Sequence, residues 1–172
     1  AQNLISSSFT ATFSSGWTFS STGVTPNGTS AYMNTNLVPN TNLLLDSTHM
    51  SLYSRTNQTT IASIVDMGCE VTSKIYLITK TGGSTYISVN TNTDTLVSTI
   101  TDTSGFFAVS RTSSSLTKMY KNNAVHATST VTSTSRNAQA IYLGAYNLSG
   151  TERYFSNKQY AFCSIGFGLD DT

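Results

Sequence analysis

Apolar and polar residues alternate along most of the chain with a period of two, which is the spacing of β-strands that bury one face. Residues 49–55 and 85–90 alternate cleanly, whereas residues 74–80 (KIYLITK) are mostly apolar on both faces, as in a central strand. No segment keeps a helical period over ten residues. The pattern therefore predicts a protein built almost entirely from β-strands.

Turn residues divide this pattern into short, evenly spaced strands. Gly82 and Gly83 separate residues 74–80 from residues 85–90, which indicates a hairpin. Asn122 and Asn123 lie between two further runs, and asparagine tolerates the positive φ of a tight turn. Further strands are predicted at residues 61–65, 95–100, 106–111, 116–121, 125–131, 140–145 and 160–165. About ten strands, spaced by roughly 8–12 residues, predict a two-layer antiparallel β-sandwich that forms one domain over residues 1–172.

Composition shows that hydroxyl and amide groups, and not charges, make the polar surface. Serine and threonine together make up about a third of the chain, whereas charged residues are only 10% and the net charge is +1. Threonine favours extended backbone, so a chain this polar can still form strands. The low, balanced charge argues against nucleic-acid binding. No apolar run approaches the ~20 residues of a transmembrane helix, so we expect no membrane insertion.

Three segments within about the last 70 residues resemble, in order, motifs of the laminin-G-like domains of the concanavalin A-like lectin and glucanase superfamily. Residues 106–111 (FFAVSR) look like the family's strand h-V-A-V-T-R. Residues 119–123 (MYKNN) are similar to its L-Y-V-N-G hairpin, with Asn123 where glycine is usual. Residues 141–144 (IYLG), Phe155 and residues 161–171 resemble its closing strands. The resemblance implies a jelly-roll sandwich.

The resemblance also implies a function. The serine-, threonine- and asparagine-rich composition is similar to versions of this domain in phage tail fibres and bacterial surface proteins. We therefore expect a non-catalytic, lectin-like module of a longer protein, outside the cell or on a virion surface, that serves carbohydrate recognition or adhesion. Its partners would be a glycan or host-surface receptor and the parent polypeptide or virion proteins. The alternative is a structural component of a phage fibre, tail or surface assembly, with no small ligand.

The residues needed for catalysis are sparse, and we expect no enzyme. The superfamily's glucanases carry an E-x-D-x-x-E strand because retaining hydrolysis needs two neighbouring carboxyl groups. This chain has two glutamates, Glu70 and Glu152, and no such strand. Asp66 adjoins a core strand and is expected to cap a turn; pairing of Asp66 with Glu70 is the alternative. His49 and His126 accompany no nucleophile motif.

Calcium is the one cofactor left open, and none is assigned. Laminin-G-like domains often hold calcium at the rim of the sandwich, and Asp94, Asp102, Asp170 and Asp171 lie in predicted loops. The adjacent pair at 170–171 is more typical of a helix start or a solvated turn.

The two cysteines, Cys69 and Cys163, are predicted to be unlinked. Cys163 is expected to lie in the core, on the same side of its strand as Ala161 and Ile165.

Two clusters rich in tyrosine are the candidate ligand sites. A tyrosine ring can stack on the C–H face of a sugar, while asparagine and arginine hydrogen-bond the hydroxyls. The first cluster is expected to line one exposed sheet face, because the neighbours of its members on each strand are apolar; it comprises Tyr53, Arg55, Tyr86 and Asn90. The second, in a loop-rich stretch, comprises Tyr146, Asn147, Arg153 and Tyr154. For both clusters the alternative is that the tyrosines pack beneath a loop.

Overall fold

The structure is a computed structural model that describes residues 9–58, 63–81, 84–97 and 100–170. In these ranges the chain forms one short helix, α1 (Pro39–Asn42), and sixteen strands. The strands are β1 (Thr12–Phe13), β2 (Trp17–Ser20), β3 (Gly23–Pro26), β4 (Met33–Asn34), β5 (Thr48–Ser54), β6 (Met67–Glu70), β7 (Lys74–Thr81), β8 (Ser84–Thr91), β9 (Thr95–Val97), β10 (Gly105–Ser113), β11 (Leu116–Lys121), β12 (Ala124–Ser129), β13 (Tyr142–Leu143), β14 (Tyr146–Leu148), β15 (Thr151–Arg153) and β16 (Tyr160–Gly166).

The strands form two sheets, and this confirms the predicted β-sandwich. Sheet A has the order β1-β4-β13-β6-β7-β8-β9, and the β14–β15 hairpin joins it at β6. Sheet B has the order β12-β11-β10-β5-β16-β3-β2. The long strands pair antiparallel, whereas β14 runs parallel to β6.

Alternate residues of both sheets meet in one apolar core. Leu52, Phe107 and Met119 of sheet B pack in the same cluster as Leu77 and Ile87 of sheet A, and all five side chains are fully buried. Because successive side chains of a strand point to opposite faces, the residues between these positions are placed on the outer face of their sheet.

A buried ion pair links the two layers. Asp66 lies just before β6 in sheet A, and Lys158 lies just before β16 in sheet B. Nζ of Lys158 is 3.0 Å from Oδ1 of Asp66, and both side chains are inaccessible to solvent. Asp66 also accepts hydrogen bonds from the backbone N–H of Thr79 at 2.7 Å and from the Tyr160 hydroxyl at 2.7 Å. Burial, together with the Asp66 charge, raises the pKa of Tyr160, so this hydroxyl stays protonated and donates.

The first 45 residues add strands to both sheets that the sequence pattern did not indicate. β1 and β4 extend one edge of sheet A, and β2 and β3 form one edge of sheet B. Each is two to four residues long, which is too short to show a period of two. The Phe13 ring packs edge-on against Trp17 and Phe19, with both centroid distances 5.1 Å.

Several predicted boundaries change in the structure. Residues 63–65 lie outside any strand, and the rest of the predicted strand 61–65 is outside the described residues. The predicted strand 140–145 shortens to β13. Gly82 and Gly83 are also outside the described residues, but β7 and β8 pair antiparallel as a hairpin requires. The tight turn is confirmed, with φ of 48° at Asn122 and 68° at Asn123.

Both cysteines are free thiols. Cys69 is buried, and Cys163 and Ile165 pack against the core cluster as expected. Ala161 is exposed instead, because a register shift between Tyr160 and Phe162 moves it off the inner face. Burial raises the pKa of Cys163 to about 11.

Candidate functional site

The outer face of sheet B carries a row of aromatic rings across three adjacent strands. Tyr53 on β5 pairs with Phe106 on β10 and with Phe162 on β16. Phe162 is 50% exposed and Tyr53 is 39% exposed, and the ring centroids of Phe106 and Phe162 are 6.3 Å apart. The guanidinium of Arg55 lies 5.8 Å from the centroid of the Tyr53 ring. Tyr53, Arg55, Phe106 and Phe162 are called the aromatic face below.

A groove of about 520 Å³ adjoins the aromatic face at Phe106. Ala108 and Tyr120 are paired across β10 and β11 and line the groove on the sheet itself. The small side chain of Ala108 leaves space beside the rings of Phe106 and Tyr120. The remaining lining comes from the β11–β12 hairpin and from the segment after β16, through Asn123, Val125, Leu169 and Asp170.

The segment after β16, residues 167–170, is fixed against sheet B by side chains of β10 and of the loop before β5. Ser110 Oγ donates to the carbonyl of Leu169 at 3.0 Å and accepts from its N–H at 2.7 Å. The N–H of Gly168 donates to Ser47 Oγ at 2.9 Å. A Cβ at Gly168 would lie 2.3 Å from the Arg111 carbonyl oxygen, so only glycine permits this approach. One wall of the groove is therefore held in place.

His49 fixes the same segment from β5. Its Nδ1 donates to the carbonyl of Phe167 at 2.6 Å, and its Nε2 lies 3.0 Å from Ser164 Oγ. Burial lowers the pKa of His49, and the Phe167 carbonyl partly offsets that effect. The ring is therefore neutral at neutral pH, with the Nδ1 proton used to hold residue 167.

The structure separates the first predicted cluster into two parts. Tyr53 and Arg55 point away from the core, as predicted, and belong to the aromatic face. Tyr86 is on β8 of sheet A, where it is half-buried against a small cluster that includes Tyr76 and Tyr146. The prediction that these residues line one sheet face is therefore wrong, because β5 and β8 belong to different layers.

Asn90 is fully buried, so its predicted exposure is also wrong. Lys74 pairs with Thr91 and Ile75 pairs with Val89, which makes Asn90 the extra residue of a β-bulge. Its φ of 56° breaks the alternation, and its amide nitrogen donates to the carbonyl of Leu45 at 2.8 Å. Asn90 has a structural role in joining β8 to the loop before β5.

The second predicted cluster divides into a buried and an exposed half. Tyr146 is buried, with its hydroxyl donating to Oε2 of Glu70 at 2.7 Å. Asn147 is buried as well, and its amide donates to the carbonyl of Ala140 at 2.9 Å. Arg153 is exposed, and Tyr154 is 48% exposed.

Three further surface residues, Phe106, Tyr120 and Phe162, were not predicted from the sequence. One signal was available, because adjacent residues of a strand face opposite ways and one of Phe106 and Phe107 must point outward. No comparable signal existed for Phe162, since the shift beside Ala161 determines which way it faces.

Asp66, Asp94 and Asp102 make structural contacts, whereas Asp170 lies on the groove. Asp66 is sealed in the core beside Lys158, as described above. Asp94 pairs with Lys74 at 2.7 Å, and Asp102 accepts from Ser104 Oγ at 2.7 Å. Within the described ranges, no three histidine, cysteine or acidic side chains are grouped as metal ligands would be. No helix of the described chain is long and apolar enough to cross a bilayer.

Comparison with solved structures relates the chain by fold to a domain that was solved with a bound oligosaccharide. No family model matches the chain, and no curated protein matches it in sequence. Among solved structures, domain 4 of AbnA, a GH43 extracellular arabinanase from Geobacillus stearothermophilus, in complex with arabinotriose, is similar with a TM-score of 0.54 at 13% identity. The alignment covers 91% of this chain and 76% of that domain's chain. The likeness establishes a shared β-sandwich fold.

Proposed function

We propose that the protein is a non-catalytic carbohydrate-binding module of an extracellular or virion-surface assembly. The observation that carries the proposal is the aromatic face beside a preformed groove. Exposed rings stack on the C–H faces of sugars, and Arg55 offers a planar set of donors to adjacent hydroxyls. The similar arabinanase domain, which was solved with arabinotriose, supports an oligosaccharide as the ligand class.

The non-catalytic part of the proposal rests on the chemistry of the face. A retaining glycosidase needs two carboxyl groups about 5–5.5 Å apart beside the sugar. Among the residues that the structure describes, the groove has one acidic lining residue, Asp170, and the buried Asp66 is closed to a substrate. The laminin-G-like motifs in β10, β11 and β16 support placing the module among the lectin-like members of that superfamily.

The test is a glycan array probed with the unsubstituted protein, called the parent below, followed by titration of the best glycan into variants. Phe162→Ala and Tyr53→Ala should each weaken binding by about 1–2 kcal/mol, the scale of a lost aromatic contact. Phe19→Ala is the matched control, because Phe19 is 62% exposed on β2 of the same sheet and lies outside the aromatic face. If the two aromatic-face variants bind the glycan as tightly as the parent, this face is not the site.

A structural role within an assembly is the second candidate. Large apolar side chains are exposed beyond the groove, including Phe19 at 62% and Phe167 at 61%. Such patches mark contacts between proteins as well as ligand sites. Sedimentation analysis tests this candidate: a stable oligomer that dissociates in Phe162→Ser, with no glycan bound on the array, would replace the first proposal by the second.

A further inference from the structure

Tyr154 is the one bulky residue with left-handed backbone in the described chain, with φ of 55°. Left-handed backbone is costly for residues other than glycine, and least so for asparagine. The other non-glycine residues with positive φ are small or medium-sized polar residues: Asn36, Asn90, Asn122, Asn123 and Ser149. Tyr154 is therefore the exception among the described non-glycine residues with positive φ.

The fold requires this backbone conformation at position 154. Tyr154 immediately follows β15, and its carbonyl accepts a hydrogen bond from the N–H of Val65 at 2.9 Å. Two residues later, the N–H of Ser156 donates to the carbonyl of Gly144 at 2.8 Å. Glycine or asparagine would adopt this turn with less backbone strain. Burial of the Tyr154 side chain does not fully offset the cost of that strain, because the side chain stays 48% exposed.

The exposed ring rests on a rigid aromatic support. The Tyr154 ring centroid is 6.4 Å from that of Tyr146, with the planes tilted by 38°. Tyr146 is fixed by its hydrogen bond to Glu70 and by an edge-on contact with Tyr76 at 5.9 Å. The preceding residue, Arg153, is exposed. The turn thus presents an aromatic ring and a guanidinium from adjacent positions.

We infer that Tyr154 and Arg153 form a second carbohydrate-contact site, on sheet A. The ring would take the C–H face of one sugar, and the guanidinium would hydrogen-bond its hydroxyls. This inference rests on the proposed carbohydrate binding but uses a different surface, since β15 belongs to sheet A and the aromatic face to sheet B. Two sites on one module raise the apparent affinity for a dense or polymeric glycan without strengthening either contact.

The experiment compares three variants with the parent on one glycan array printed at high and low density. Tyr154→Asn removes the ring and keeps a residue suited to left-handed backbone. Ser149→Asn is the matched control, because Ser149 has φ of 53° in the neighbouring turn and carries no ring. Phe162→Ser disables the aromatic face. Thermal unfolding of each variant provides a readout that is independent of binding.

We expect Tyr154→Asn to lower the apparent affinity at high density by about tenfold or more, while its melting temperature stays equal or rises. Ser149→Asn should bind as the parent does. If Tyr154→Asn binds like the parent while Phe162→Ser does not, the second site is wrong and the proposed function stands. If Tyr154→Asn melts clearly below the parent, the ring is a packing residue and the inference is overturned. If the parent binds no glycan, the proposed function fails and this inference fails with it.

Discussion

Two buried cations, Lys158 and Arg111, are stabilised in different ways. Lys158 is fully buried between the layers and lies 3.0 Å from the Asp66 carboxylate. Arg111, near the end of β10, is 1% exposed and directs four hydrogen bonds at backbone carbonyls. Its Nε donates to the carbonyl of Val89 at 2.8 Å, and its Nη2 donates to the carbonyl of Val131 at 2.9 Å. Its Nη1 donates to the carbonyls of Ser113 at 3.2 Å and Ser114 at 2.9 Å.

The difference follows from the shapes of the two cations. An ammonium is a compact charge that needs a counter-charge when it leaves water, whereas a guanidinium spreads its charge over a planar fork that several carbonyl dipoles can share. Desolvation lowers the pKa of Arg111, and the charge of Asp46 partly offsets this. The Lys158 site therefore depends on one counter-charge, Asp66, beside a hydrogen bond to the Thr79 hydroxyl, whereas the Arg111 site depends on the placement of several backbone carbonyls.

Removal of the Lys158 charge should have the largest effect on the free energy of unfolding. Lys158→Met leaves the Asp66 carboxylate buried without a cation, and we expect a loss of about 3–5 kcal/mol in the free energy of unfolding. Urea unfolding followed by the fluorescence of Trp17 measures it. Adding Asp66→Asn to Lys158→Met should recover part of the loss, since neither charge then remains.

Lys74→Met is the matched control for that variant. Lys74 and Asp94 form the same kind of pair at 2.7 Å, but their side chains are 23% and 47% exposed. The control should lose under about 1 kcal/mol, because solvent screens exposed pairs. Equal losses at the two sites would contradict the view that burial gives the Lys158 pair its importance.

Replacement of Arg111 by a residue of the same charge should have the second-largest effect on the free energy of unfolding. Arg111→Lys retains the cation but cannot reach four carbonyls with one ammonium, so we expect a loss of about 2–3 kcal/mol in the same urea measurement. Arg136→Lys is the control, since Arg136 makes one hydrogen bond to the described part of the chain, to the carbonyl of Leu43. A neutral result for Arg111→Lys would mean that charge, and not the planar fork, is what this site requires.

The smallest effect on stability should come from His49, a basic group that is hydrogen-bonded to the Phe167 carbonyl and the Ser164 hydroxyl. The pKa of His49 is lowered in the folded state, so the unfolded chain takes up its proton first as the pH falls. The stability contributed by the neutral ring is therefore present above pH of about 6.5 and is lost as the pH falls from there towards the folded pKa. Melting temperatures between pH 8 and pH 5 measure this, with the parent falling more steeply than His49→Gln. Parallel curves for the two proteins would show that His49 is not the titrating group.

The elements best predicted from sequence were those with enough residues to show a period. The alternation at residues 106–111 and 116–121 predicts the strands β10 and β11, and the turn at Asn122 and Asn123 follows from residue type alone. The strands of the first 45 residues gave no such signal, because each is too short for alternation to be read.

The candidate site was predicted in part. The outward direction of Tyr53 and Arg55 follows from the inward direction of Leu52, because side chains alternate along one strand. Alternation does not show which strands are neighbours, so it could not separate Tyr86 and Asn90, on sheet A, from Tyr53 and Arg55. The bulge at Asn90 buries a side chain that was predicted to be exposed, and the register shift at Ala161 exposes one that was predicted to face the core. In both places one extra residue moves the side chains around it to a different face.

The sequence by itself determined that the protein is a β-sandwich with a hydroxyl-rich surface, because periodicity and composition are local properties that each segment carries alone. Only the tertiary structure decided that Tyr53 meets Phe106 and Phe162, that Asp66 meets Lys158 and that residues 167–170 complete the groove. Each of these contacts joins positions far apart in the chain. Strand order, register and bulges fix such contacts, and these depend on how the two sheets together bury their apolar faces.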